Sequence, residues 1–173
     1  MPRETDALDL QTCERQLDRI QAFIPRLDTK VSALFAIETG QIAIAALNLM
    51  IGDLKVWWVV TPLLLFLSAA AFVFFNLYRC TYPHLNGGHS SLIYFNEIAE
   101  LREAEYVQRF GALTKSEFKS DVTAQIWRNA EIACLKYGYL KQATIAAMLS
   151  LLPWTALLLA TSLAHLALPK LHG

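Results

Sequence analysis

Apolar residues in this chain come in blocks. Val31 to Ile51 carries a single charge, Glu38; Val56 to Tyr78 carries none; and Ala143 to Leu168 carries none apart from the titratable His165. Each block reaches the roughly 20 residues that a hydrocarbon core of about 30 Å demands of a helix. The pattern predicts three transmembrane helices. The intervening stretches are amphipathic instead. Leu10, Cys13, Leu17, Ile20 and Ile24 recur at steps of three and four, the seam of a packed or coiled helix. Pro25 then bends or restarts the chain before "RLDTK". After the second block, Pro83 and Gly87-Gly88 mark a loop, and Ser90 or Ser91 is expected to cap one helix reading "LIYFNEIAELREAEYVQRFGAL", ending near Gly111.

"TKSE", Thr114 to Glu117, is a capping box and opens the last helix. Along it, Phe118, Val122, Ile126, Ala130, Ala133, Tyr137 and Leu140 form one apolar stripe at helical period, with Gln125, Asn129, Ile132 and Lys136 on the strip beside it. No turn residues separate this amphipathic half from the third apolar block. The expectation is a single helix from Lys115 to about His165, roughly 75 Å long at 1.5 Å per residue, with Pro153 as its kink. Such a rod would carry a tilt or rotation from water into the bilayer with no flexible joint to absorb it.

Composition agrees with a membrane protein: of 173 residues 55% are hydrophobic, and mean hydropathy is +0.35. Formal net charge is zero, which gives no argument for nucleic acid. Thirteen of the 15 Lys and Arg residues lie before the first span or between the second and third; only Lys55 and Lys170 fall on the other side. By the positive-inside rule the N-terminus and residues 79–142 are cytoplasmic, "GDLK" (52–55) is an external hairpin and the C-terminus is outside. Cys13, Cys80 and Cys134 then face a reducing compartment and are read as free thiols. The start, "MPRETDALDL", is unlike a cleavable signal.

The fold class is therefore an all-α membrane protein in four parts: a cytoplasmic N-terminal helical arm (1–30), a hairpin of two spans (31–78), a cytoplasmic helical hairpin (79–142), and a third span with a short tail (143–173). Arm and cytoplasmic hairpin together are small for an independent core, so either they pack as one three-helix bundle or copies associate into a homo-oligomer.

"RLDTKVSALFAIETG" (26–40), "SLIYFNEIAEL" (91–101), "EYVQRF" (105–110) and "DVTAQIWRNAEIACLKYGYLKQA" (121–143), in this order and with these spans between them, resemble the transmembrane effectors of the Pycsar anti-phage system, the PycTM family. The likeness covers most of residues 15–165. It implies an effector that senses a cyclic pyrimidine mononucleotide, cUMP or cCMP, made by a partner cyclase, and that impairs the inner membrane as a multi-pass protein, arresting growth or killing the cell. It implies no enzyme activity, no catalytic residues and no cofactor beyond that ligand. Glu38 departs from the pattern; an acid at that depth is expected to be protonated, paired or water-facing, or else interfacial together with Gln41.

Such a ligand presents a phosphate, a ribose hydroxyl, a ring face and a hydrogen-bonding edge. Lys30, Lys136 or Arg128 suit the phosphate, and Asp28 or Glu97 the hydroxyl. Tyr94, Phe95, Trp127 or Tyr137 suit the ring, and Gln125 or Asn129 its edge. Carried over residue by residue, the resemblance selects Asp28, Lys30, Phe95, Glu97, Gln125, Lys136 and Tyr137. "NGGHSS" (86–91) offers free N–H groups to an anion but lacks the rest of a phosphate loop. Cys80, His84 and His89 fit no zinc module, so no metal is expected. The competing reading is a ligand-independent membrane toxin or small channel, assembled by its cytoplasmic helices.

Overall fold

The computed structural model describes residues 9–82 and 91–167. Among them there is no strand; the elements are α1 (Leu10–Gln21), α2 (Phe23–Asn48), a 3-10 turn (Ile51–Lys55), α3 (Trp57–Thr81), α4 (Phe95–Glu100), α5 (Glu103–Gly111) and α6 (Lys115–Ala167). The chain divides into two compact units. Among the described residues one, the polar unit, comprises 9–27 and 91–136; the other, the span unit, comprises 28–82 and 137–167. Both α2 and α6 contribute residues to each.

In the polar unit the arm packs against the start of α6. Cys13 and Leu17 of α1 are buried with Val122 of α6, and Leu10, Ile93, Phe118 and Ile126 close around them. The separation of α1 from α2 falls at Ala22. Pro25 has no N–H to offer the Gln21 carbonyl four residues earlier, and so marks where the helical ladder lapses. The single helix expected over 92–113 is two. Leu101 is extended at φ −85°, ψ 151°, and α5 restarts behind Arg102 with Glu103 and Glu105 in its first turn, where acids favour a helix N-terminus. The capping box forms as expected: Glu117 accepts from the Thr114 backbone N–H at 2.8 Å and from its hydroxyl at 2.7 Å, and α6 begins at the next residue.

The span unit is built on three helices long and apolar enough to cross a membrane. Its core joins Ala45, Val59, Phe66, Leu157 and Ala164. Small residues such as Ala70, Ala143, Ala147 and Ser150 are buried, which lets backbones approach closely where lipid removes the hydrophobic drive to associate. Large apolar side chains point outward instead: Leu64, Leu65 and Phe75 on α3, and Met148, Leu152, Leu159 and Leu163 on α6. Exposed Trp57 and Trp58 sit at one end of α3 and exposed Tyr78 and Tyr82 at the other, an aromatic pair for each bilayer interface. Roughly 30 Å of helix separates Trp58 from Tyr78 at 1.5 Å per residue, matching a hydrocarbon core.

The "GDLK" hairpin is the 3-10 turn. Buried Asp53 closes it by accepting from the Met50 backbone N–H at 2.8 Å, and its Oδ2 also lies 3.1 Å from His165 Nε2.

One seam organises α6 from end to end. Val122, Gln125, Ile132, Lys136, Leu140, Ala143, Ala147, Ser150, Leu157, Thr161 and Ala164 are buried, with Asn129 and Trp154 half-buried in the remaining places. The steps are all of three or four, a repeat of about 3.5 that keeps one face turned inward over many turns. The stripe expected from a 3.6 period drifts off this seam. Of its later members Ala130 and Tyr137 are exposed, whereas Ile132 and Lys136, assigned to the flanking strip, are buried. The helix runs through Pro153 without interruption.

Candidate functional site

Within the polar unit, a knot of hydrogen bonds ties the start of the second segment to α6. Ser91 donates its hydroxyl to Asp121 Oδ1 at 2.7 Å, and the Leu92 N–H donates to Asp121 Oδ2 at 2.9 Å. Gln125 Nε2 donates to Ser91 Oγ at 3.0 Å, and the same oxygen accepts from the backbone N–H groups of Ile93 and Tyr94 at 3.2 and 3.0 Å. Ser91, expected as a helix cap, instead holds a turn with its hydroxyl; α4 begins four residues later behind Tyr94, which has no side-chain cap. Asp121 and Gln125 are four apart on α6 and share a face, so the two partners of Ser91 come from one helical turn.

Beside this knot is a cavity of about 440 Å³ lined by Ser91, Asp121, Thr123, Ala124, Gln125, Trp127 and Arg128. Its walls hold one group of each kind that a cyclic nucleotide calls for. The Arg128 guanidinium lies 5.8 Å from the Trp127 ring centroid and pairs with Glu131 at 2.5 Å; its five N–H donors can serve more than one acceptor. Trp127 is 66% exposed, a large aromatic face left open to solvent on a polar unit. Gln125 brings an amide, and Asp121 a carboxylate held by two donors.

A second depression, about 630 Å³, is lined by Leu92, Arg109, Leu113, Glu117, Ser120 and Asp121 among others. It offers no aromatic face, and its charged groups are engaged locally. Arg109 pairs with Glu105 at 2.6 Å, and Glu117 is held by Thr114. That backbone N–H, and then the Thr114 hydroxyl, keep the Glu117 carboxyl below its ordinary range.

Of the seven residues selected by resemblance, Gln125 alone lines the 440 Å³ cavity. Phe95 and Glu97 lie on α4, Phe95 exposed with its ring 4.9 Å from Tyr94. Lys136 is buried on the α6 seam of the polar unit. Asp28, Lys30 and Tyr137 belong to the span unit, Lys30 and Tyr137 with exposed side chains. Asp121 was missed because its partner Ser91 is 30 residues away, a pairing no local pattern announces. Trp127 and Arg128 were candidates by type, and their place on the turn after Gln125 was the available signal. The loop 86–90, with His84 and His89, lies outside the described residues; among those described, no group of His, Cys, Asp and Glu is arranged for a metal ion.

A family model for the Pycsar effector protein domain, PycTM, matches residues 12–163. The chain belongs to that family. The match begins in α1 and ends in α6, so it takes in both units. Membership makes this PycTM protein an anti-phage defence effector tied to cyclic pyrimidine signalling, of a family that works with a partner cyclase. No curated protein and no solved structure matches the chain.

Proposed function

We propose that this PycTM effector binds a cyclic pyrimidine mononucleotide, cUMP or cCMP, in its polar unit on the cytoplasmic side, and that binding makes its spans impair the inner membrane. The observation that carries the reading is the wall of the 440 Å³ cavity, where Asp121, Gln125, Trp127 and Arg128 stand on consecutive turns of the helix that later becomes a span. Arg128 meets the phosphate, Trp127 stacks on the pyrimidine, the Gln125 amide reads its edge, and Asp121 or Thr123 accepts from the ribose hydroxyl. The protein acts as a receptor and not as an enzyme.

Binding shifts a conformational equilibrium only through differential affinity. Gln125 and Asp121 already hold Ser91, so a ligand that engages them competes with that knot and favours an arrangement of α6 in which it is loosened. Because α6 continues into the third span, the change reaches the bilayer along one helix.

Titration calorimetry of the full chain in liposomes, with cUMP, cCMP and their purine counterparts, tests the reading. A pyrimidine nucleotide is expected to bind, and Trp127→Ala to weaken it about tenfold or more, the usual worth of one base–aromatic stack. Absence of binding, together with vesicle leakage that no nucleotide alters, would instead establish the ligand-independent toxin.

A further inference from the structure

We propose that Glu38, with Gln41 and Ser150 beside it, is a proton-binding site inside the membrane, and that the leak made by the span unit carries protons through it. The site stands on the structure alone; its part in a leak rests on the membrane-impairing function proposed above.

Glu38 lies in the middle of α2 and is completely buried in the span unit, and neither carboxyl oxygen has a hydrogen-bond partner among the described residues. Gln41, one turn further along the same helix, is buried too, as is Ser150 of α6. Both neighbours also bond elsewhere. Ser150 donates its hydroxyl to the Ala147 carbonyl at 2.8 Å and lies 3.5 Å from Gln41 Oε1, while Trp154 Nε1 donates to the Gln41 carbonyl oxygen at 3.0 Å.

Nothing cationic on the spans faces the carboxyl. Between Lys30 and Asn48 on α2, Glu38 is the only ionisable side chain. There is none on α3 from Trp57 to Leu77, and none on α6 between Lys141 and His165, whose imidazole meets Asp53. An unpaired carboxylate so placed is met by taking up a proton rather than by standing charged. With both oxygens out of reach of solvent, a bound proton neutralises the carboxyl without bringing in further ligands, as an alkali cation would have to.

The step is a simple exchange. When the unit opens, the Glu38 O–H bond breaks with its electron pair left on oxygen, and the proton passes to water on one side. The carboxylate then takes a proton from water on the other. Gln41 and Ser150 supply buried polar groups able to turn towards the ion and steady it while it lasts.

Dicyclohexylcarbodiimide, an apolar electrophile that takes the proton of a carboxylic acid on nitrogen and is then attacked at carbon by the carboxylate oxygen, is the probe. The full chain in liposomes is treated over a range of pH and the adduct located by peptide mass spectrometry. The proposal expects an adduct on Glu38 that falls as pH rises, that K⁺ and Na⁺ do not suppress, and that Glu38→Gln lacks. In the same vesicles, proton entry in the presence of cUMP or cCMP should drop at least tenfold in Glu38→Gln. An unmodified Glu38, or suppression by K⁺ or Na⁺ at fixed pH, overturns the site; equal proton entry in both proteins overturns its role in the leak. Vesicles of the unaltered protein that stay tight with nucleotide, yet still show the adduct, uphold the proton site and reject the membrane-impairing function instead.

Discussion

In the polar unit, buried polar atoms are tied to one another: Ser91 is 6% exposed and engages Asp121, Gln125 and two backbone N–H groups at once. In the span unit, Glu38 is buried more completely, and neither carboxyl oxygen has a hydrogen-bond partner among the described residues. The contrast teaches where each unit keeps its stability. The first spends polar groups on holding a loop against a helix, as a structure meant to be specific does. The second holds itself largely by packing and carries one buried carboxyl with no hydrogen-bond partner among the described residues, which is what a functional residue inside a membrane looks like.

The largest expected effect breaks the first half of this contrast. Asp121→Ala leaves the Ser91 hydroxyl and the Leu92 N–H without their acceptor, and it should destabilise the polar unit by about 2–3 kcal/mol. Hydrogen exchange on the full chain in detergent checks this: the backbone amides of 92–94 should lose protection while those of 57–81 keep theirs. Uniform loss in both segments would mean that the knot is not local to its unit.

The second half is sharpened by Glu38→Leu. Removing a buried polar group that has no hydrogen-bond partner among the described residues should leave the unfolding midpoint unchanged or raise it, since burying an unbonded polar group costs stability that an apolar side chain does not. A clear fall in the midpoint, followed by circular dichroism, would show that the carboxyl has a structural partner after all.

The smallest effect concerns the start of α6. The Thr114 N–H and hydroxyl depress the Glu117 carboxyl below its ordinary value of 4.5, so the folded state holds this proton less tightly than the unfolded chain. Its stabilisation is present above that ordinary value and is lost as pH falls through the depressed one. An acid titration of helicity should lose a small part of its slope in Glu117→Gln, and an unchanged slope would remove the box from the account.

Most of the fold could be read from the chain because its signals are local. The three apolar blocks coincide, but for a few end residues, with α2, α3 and the second half of α6, and "TKSE" announces its own hydrogen bonds. The break at Leu101–Arg102 escaped because no glycine or proline marks it; the acids that reward a new helix start lie after it and also suit a helix interior. The inward face of α6 was misjudged for a different reason. Over one or two turns, periods of 3.5 and 3.6 differ too little to separate, and only across the whole helix does the seam settle on Ile132 and Lys136 rather than Ala130 and Tyr137. The candidate site was legible by residue type and not by partner. Gln125, Trp127 and Arg128 are neighbours in sequence, whereas Ser91 reaches Asp121 only through the fold.

The central claim is that recognition and membrane impairment are joined by α6, which runs unbroken from Lys115 to Ala167. Its most direct test is dye release from liposomes holding the full chain, compared with a variant carrying a flexible glycine insertion between Tyr139 and Thr144. The account predicts that the variant still binds cUMP or cCMP and that nucleotide no longer provokes release. Release provoked equally in both proteins would contradict it.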